Sequence, residues 1–267
     1  MPAPLLSIVM PAHNEAYYLR GSVEQVVAAG RRRAWQFEVI LVENGSADRT
    51  AEVAASLTAA HREVRTLSWP EADYGAALRA GFEAAAGDVV VNFDVDYVDT
   101  DFAETAAALV RSGAAVVIGS KRCSGAADRR GPARRAATAV FVGLLKAAFG
   151  LHASDTHGLK AMDRRKLAPL VAVTRSRADI FDTELVLRAE RAALRVEEVP
   201  VAVAETRPAR TALARRVPRT VKGLVRLRWM LWAERGGPGL SADESGDRGD
   251  DPVGIGGVRG VTALVHH

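Results

Sequence analysis

Asp94-Val95-Asp96 follows the apolar run Val89-Val90-Val91-Asn92-Phe93. Two carboxylates one residue apart, at the end of a buried strand, can jointly grip a divalent cation. A hard cation takes oxygen ligands and can share its remaining positions with substrate phosphates. Acidic pairs are common in loops, so the pair gains meaning from its company. The chemistry it suggests is that of an enzyme handling a nucleotide diphosphate.

Five other segments could do chemistry, and each also has a plain structural reading. Pro11-Ala12-His13-Asn14-Glu15 turns from a strand into a helix, with Glu15 in the first turn, where the helix dipole favours a carboxylate. In Glu43-Asn44-Gly45-Ser46-Ala47-Asp48-Arg49-Thr50, Gly45 permits a tight turn and Ser46 can cap the next helix. Glu43 could accept hydrogen bonds from a nucleobase or ribose, or simply end a strand. Asp73-Tyr74-Gly75 opens a helix, and Gly75 would let the backbone approach a ligand. Asp155-Thr156-His157-Gly158-Leu159-Lys160 is a short polar loop in which His157 is either structural or a ligand or base. Asp179, Asp182 and Glu184 cluster near a helix start. Asp182 and Glu184 do not share a helix face, so they have different jobs; dipole compensation is the simpler account.

Positioning these residues requires alternating elements. Strands are expected at Leu5–Met10, Glu38–Val42, Glu63–Leu67, Asp88–Phe93 and Ala115–Ile118. Helices are expected between them, at Glu15–Ala29, Ala47–Ala60, Tyr74–Ala86 and Thr100–Arg111. That alternation predicts an α/β fold, a mostly parallel sheet flanked by helices. Such sheets bind ligands beyond the carboxyl ends of their strands, where the singled-out residues fall. Lys121 to Arg135 reads as a basic, mobile loop. Helices at Ala136–Phe149, Asp163–Val171 and Asp179–Leu194 follow, and Val196–Val203 alternates around Pro200 as an edge strand does. Arg207 to Arg235 holds nine basic residues and one acid, Glu234. Pro218 suits a helix's first turn. From it, Arg219, Lys222 and Arg226 share one face, with Val221, Leu224, Val225, Leu231 and Trp232 roughly opposite. The glycine-rich segment 236–267 lacks periodicity and reads as a disordered tail.

The 267 residues suit one large domain, here 1–235, with a nucleotide-binding half at about 1–120 and an acceptor half at about 121–235. Net charge is +4, but the arginines cluster, so the distribution says more than the mean. Cys123 is the one cysteine, which excludes an intramolecular disulfide framework and fits a reducing compartment. No run approaches the ~20 apolar residues of a membrane span. Met1 leads almost directly into a strand, so no signal peptide is expected. The expected location is cytoplasmic, with peripheral contact at the inner face of the plasma membrane if the acceptor is a lipid.

In order, PAHNE, ENGSADRT, the Gly75 segment, FDVDY, GSKR, DTHGLKAMDR, FDTELVLRAE and EEVPV resemble the motifs of family 2 glycosyltransferases over about Leu5 to Arg228. The branch of polyprenyl-phosphate sugar transferases, such as dolichyl-phosphate mannose synthases, is the most similar. The resemblance implies a GT-A, Rossmann-like fold with a C-terminal amphipathic basic helix, and a GDP- or UDP-sugar donor. It places Pro11, His13, Glu15 and Glu43 around the base and ribose, with Gly45, Ser46 and Gly75 beside them. It places Asp94 and Asp96 on a Mg²⁺ or Mn²⁺ ion, and Lys121 or Arg122 on phosphate. Arg207 and Arg210 match basic residues that hold the donor or a lipid phosphate. Glu43-Asn44-Gly45-Ser46 stands where the family usually reads Asp-Asp-Gly-Ser. His13 stands where tyrosine is usual. Tyr97-Val98-Asp99 replaces a Leu-Gln-His-like run; Val98 cannot ligate a metal, so Asp99 or water would.

The implied reaction is a metal-dependent, inverting hexosyl transfer. Its acceptor would be a polyprenyl phosphate, or else a soluble or glycan hydroxyl. Asp96, Asp155 and Asp182 are the catalytic candidates, the last two as bases on the acceptor side. The basic, apolar-backed stretch from Pro218 to Trp232 suits an interfacial helix or one packed on the core. No nucleic acid partner is expected. Two rivals stay open: a sugar nucleotidyltransferase, which would carry a Gly-rich basic loop where PAHNE stands, and a non-catalytic relative that binds nucleotide-sugar.

Overall fold

The computed structural model describes residues 5–129, 131–156, 158–177, 180–203 and 213–234. The expected tail, and Arg207 and Arg210, lie outside them. The first half alternates as its hydrophobic pattern requires: β1 Leu6–Ala12, α1 Leu19–Arg32, β2 Phe37–Asn44, α2 Thr50–Ala60, β3 Val64–Trp69, α3 Tyr74–Ala84, β4 Val89–Asn92, α4 Thr100–Arg111 and β5 Val116–Ser120. Asp73 caps α3 by accepting from Ala76 N–H, and Asp99 caps α4 through Asp101 and Phe102 N–H.

The second half corrects several expectations. β6 Ala127–Asp128 interrupts the basic loop, and α5 Pro132–Phe149 starts before Ala136 because proline is tolerated at a helix's first position. Lys160 is not the end of a polar loop but the first residue of β7, Lys160–Asp163. That strand is too short and too charged at its ends to show a period. It forms because its backbone fills the gap between β4 and β5, pairing antiparallel with both. After α6 Arg164–Val173 and α7 Phe181–Arg191, the expected edge strand divides at Pro200 into β8 Val196–Pro200 and β9 Ala202–Val203. β8 is an edge of the large sheet, while β9 leaves it to pair with β6. α8 runs from Leu213 to Ala233, so Pro218 lies inside the helix rather than in its first turn.

The seven-stranded sheet has the order β3-β2-β1-β4-β7-β5-β8 and is parallel except at β7. Alternation along each strand divides the core. Ile8, Met10, Leu41, Val91 and Phe93 face a layer containing α1, α2 and α4. Val9, Ile40, Val90, Ile118 and Met162 face the layer of α3, α5, α6, α7 and α8. This is the α/β fold, a mostly parallel sheet flanked by helices, that the alternation predicts. None of the described helices is long and apolar enough to cross a membrane.

α7 is buried from Phe181 to Leu187, so its polar residues must find partners inside the protein. Glu184 accepts the N–H of Ser176 at 2.7 Å and Arg188 Nε at 2.7 Å. Arg188 forks onto Glu234 at 3.0 and 2.8 Å. Burial works against the Arg188 charge, but the hydrogen bonds to Glu234 and Glu184 outweigh it and raise its pKa. One carboxylate therefore ties the exit of α6, α7 and the end of α8. On α8, Leu224, Leu227 and Leu231 are buried, whereas Val221, Val225, Trp229 and Trp232 are exposed. The apolar residues expected on one face thus divide into two.

Replacing Glu184 by alanine leaves the N–H groups of Arg175 and Ser176 without their acceptor and Arg188 with Glu234 as its one carboxylate partner among the described residues. Urea unfolding is expected to show a loss of about 3–5 kcal/mol, the usual result of breaking a buried ion pair; a loss near zero would remove Glu184 as the tie.

Candidate active site

The turns after β1 and β2 are knitted into one surface. His13 Nδ1–H donates to Asn44 O at 2.8 Å, which leaves Nε2 to accept from Asn14 Nδ2 at 3.0 Å. Asn14 has φ 55°, a left-handed conformation that asparagine tolerates. Its N–H donates to Ser46 Oγ at 3.1 Å, and its Oδ1 accepts from Ala47 N–H at 2.8 Å. Glu43, buried at the end of β2, accepts from Ser46 N–H at 2.7 Å. Gly45 has φ 63°, and a Cβ there would lie 2.9 Å from Ala72 N, so glycine is required twice over. Glu15 is also buried; its N–H donates to Thr50 Oγ1 at 2.8 Å. Ser46 does not cap α2. The helix begins at Thr50, whose N–H donates to Asp48 Oδ1 at 2.9 Å. Ser46 instead accepts from the neighbouring turn because the two loops must be held side by side.

Beyond β4, a tight turn presents the acidic pair. Asp94 and Tyr97 form an isolated bridge, with Tyr97 N–H donating to Asp94 O at 3.0 Å. Val95 is buried in the α1-side core, and Ser22 Oγ donates to its carbonyl. Tyr97 Oη donates to Ala202 O at 3.1 Å, and burial followed by the nearby Asp99 pushes its pKa up to about 12. Asp99, as the cap of α4, is committed to the backbone. Asp94 receives Tyr74 Oη at 3.2 Å. Burial, then Asp96, then Asp182 push the Asp94 pKa up to about 6, against the opposing pull of Lys160 and Tyr74.

Two lysine–aspartate pairs lie close by. Lys160 is fully buried; its Nζ donates to Gly158 O at 2.8 Å and lies 3.1 Å from Asp182 Oδ1. Lys121, after β5, lies 2.7 Å from Asp155 Oδ2. The chain around Asp155 is held from several sides. Glu190 accepts from Ala153 N–H at 2.8 Å, Glu198 from Ser154 N–H at 2.9 Å, and Thr156 Oγ1 meets Thr183 Oγ1 at 3.1 Å. Asp155 and Asp182 are 1% and 2% exposed, each against a lysine, so neither stands as a free surface base. Arg122 is exposed. Asn92, opposite Lys160 in the β4–β7 ladder, is buried, with no hydrogen-bond partner for either side-chain polar atom among the described residues.

The structure therefore groups the expected residues in two sets. Pro11, His13, Glu15, Glu43, Gly45 and Ser46 lie at the β1 and β2 exits. Beyond β4, Asp96 and Asp182 each act on Asp94. Gly75 is buried in the first turn of α3, next to Tyr74. His157, Asp179, Arg207 and Arg210 lie outside the described residues. Asn14, Thr50, Tyr74, Asn92 and Lys160 lie within the segments that the sequence marks, but no role is read for them there. An asparagine between strand and helix is a recognisable signal for a left-handed turn; the buried lysine had none.

A carboxyl whose pKa is raised from 3.8 to about 6 favours the folded state while protonated. That contribution is lost as pH rises from about 4 through 6. Two units amount to roughly 3 kcal/mol, less here because Asp94 keeps a face open to solvent. In EDTA, Asp94→Asn is expected to melt a few degrees above the parent at pH 8, with the gap narrowing toward pH 4. Parallel melting curves against pH would contradict this.

Known proteins are similar in sequence and in fold. The model of glycosyl transferase family 2 matches residues 7–169. Glycosyltransferase AglD of Haloferax volcanii is 33% identical over 202 residues, 73% of this chain and 32% of that protein. Dolichyl-phosphate beta-glucosyltransferase ALG5C of Trichomonas vaginalis is 30% identical over 213 residues, 73% of this chain and 62% of that protein. The chain thus spans about a third of one of these curated relatives and three fifths of the other. The mannosyltransferase PcManGT of Pyrobaculum calidifontis, solved with GDP-Man and Mn²⁺, superposes with a TM-score of 0.60 at 21% identity, covering 89% of this chain and 66% of that one.

Proposed function

This chain belongs to glycosyl transferase family 2, and on that premise we propose that it moves a hexose from a GDP- or UDP-sugar to a polyprenyl phosphate. The observation that carries the reading is the Asp94–Asp96 pair, presented by a braced turn beyond the carboxyl end of β4, where α/β sheets receive ligands. Both carboxylates offer the oxygen donors that Mg²⁺ or Mn²⁺ prefers. Burial first, then Asp96 and Asp182, raise the Asp94 pKa, and a cation would offset all three. Among the described residues no three acidic, imidazole or thiol side chains form a metal cage, so diphosphate oxygens and water would complete the coordination. When bound, the ion neutralises charge developing on the leaving diphosphate.

The remaining roles belong to the chain itself. Glu43, with Pro11, His13, Glu15, Gly45 and Ser46, holds the base and ribose. Gly75 lets the backbone at the start of α3 come close. Lys121, Arg122, Arg207 and Arg210 supply positive charge to the phosphates. A phosphate acceptor is already an anion and attacks the anomeric carbon without a base, giving inversion. Asp155 and Asp182 then serve by fixing Lys121 and Lys160 rather than by taking a proton.

Two observations support a lipid acceptor. One relative is named for transfer to dolichyl phosphate. α8 also exposes Val221, Val225, Trp229 and Trp232 beside the exposed Lys222 and Arg226. Apolar and aromatic residues rimmed by cations suit the interface of an anionic membrane. The protein would therefore work as a peripheral enzyme at the cytoplasmic membrane face.

Asp96→Ala is expected to abolish Mn²⁺-dependent binding of GDP and UDP in calorimetry while leaving the melting temperature in EDTA no lower than the parent's. Unchanged nucleotide affinity would sink the metal assignment. Changing Trp229 and Trp232 together to glutamate should release the protein from anionic liposomes. Equal sedimentation of variant and parent would remove the membrane-docking part.

A further inference from the structure

The mechanism leaves one buried ionic group unexplained. Lys160 is 0% exposed, so its ammonium reaches neither solvent nor substrate directly. Burying an ammonium is costly and is sustained by partners; here they are Gly158 O at 2.8 Å and Asp182 Oδ1 at 3.1 Å. The position is set by backbone geometry. Lys160 pairs with Asn92, two residues before Asp94, and both continue the row of Val90 and Met162 on the α7 side of the sheet. Asp94 is tied toward the same layer by Tyr74, the first residue of α3.

We propose that Lys160, held in place by Asp182, is a fixed internal counter-cation for the Asp94–Asp96 pair, and that it weakens the pair's grip on a divalent cation until a diphosphate is also present. The inference rests on the metal assignment made above. Asp94 and Asp96, with the negative charge of Asp182 behind them, would by themselves attract a cation strongly. A permanent positive charge behind them lowers the attraction at short range, where water screens it poorly. The ion is then held well only when phosphate oxygens add ligands and negative charge. Metal and nucleotide would arrive and leave together, so that the site is cleared after each transfer. Lys160 and Asp182 are positioning residues in this scheme, since neither touches the reacting atoms.

The test is Mn²⁺ binding at pH 8, read from the electron paramagnetic resonance signal of free Mn²⁺, without nucleotide and with GDP or UDP. Lys160→Met is expected to tighten nucleotide-free binding on the order of tenfold, and Asp182→Asn to weaken it by a similar factor. The double variant, which removes both charges, should return close to the parent. A packing role would instead weaken binding in every variant, and that pattern, or no change in either single variant, would overturn the proposal. If Lys160→Met fails to fold, Lys160→Gln, which keeps a polar tip but drops the charge, takes its place: unchanged or weaker nucleotide-free binding overturns the proposal. A parent that binds no Mn²⁺ with or without either nucleotide overturns the metal assignment and this inference with it. A parent that binds, with flat variants, overturns the inference alone.

Discussion

Negative charge is concentrated where the sheet ends. Beyond β4, Asp96 and Asp182 each act on Asp94, and Asp155 lies beside Thr156, which meets Thr183 of α7. Carboxylates so placed repel, and burial makes the repulsion worse. Lys160 and Lys121 answer that charge from β7 and from the loop after β5. Much of the second half of the chain can be understood as the frame that delivers these two ammonium groups. The antiparallel strand β7 exists between β4 and β5, and its first residue is Lys160. α7 is buried all round, yet carries Asp182 to meet that lysine. Glu184, Glu190 and Glu198 spend their oxygens on backbone N–H groups of the flanking loops.

The first half solves a different problem, that of holding two turns side by side without a covalent link. Asn14 accepts strain to do so, bonding Ser46, Ala47 and His13. The outcome is a polar rim whose hydrogen bonds are largely made before a ligand arrives. Preorganisation of this kind lowers the ordering cost of binding. The acidic turn is less settled: burial, Asp96 and Asp182 together raise the pKa of Asp94.

The first half of the fold was legible because apolar runs and helix periods alternate cleanly up to Ser120. The two buried layers keep opposite strand faces apolar, and Asp73 and Asp99 announce their helices. β7 was not legible. Lys160-Ala161-Met162-Asp163 has no strand signature, and its pairing is decided by β4 and β5, far away in sequence. The same non-local cause hid Lys160 from the site. Asp94 and Asp96 were readable because a D-x-D after a buried strand is a local pattern. The partners that hold Asp155 and Asp182 were not, because ion pairs between distant segments leave no trace in spacing. Ser46 misled for a related reason: a serine before a helix suits a cap, but tertiary contact with Asn14 drew it elsewhere.

The place where a divalent cation binds decides how the acidic turn works. Crystals grown with Mn²⁺ and GDP or UDP, measured at the manganese absorption edge, would locate the ion directly. An anomalous peak within about 2.5 Å of Asp94 or Asp96 oxygens, with diphosphate oxygens completing its shell, is the predicted result. Nucleotide bound with no peak at the pair, or a peak held by other residues, would contradict it.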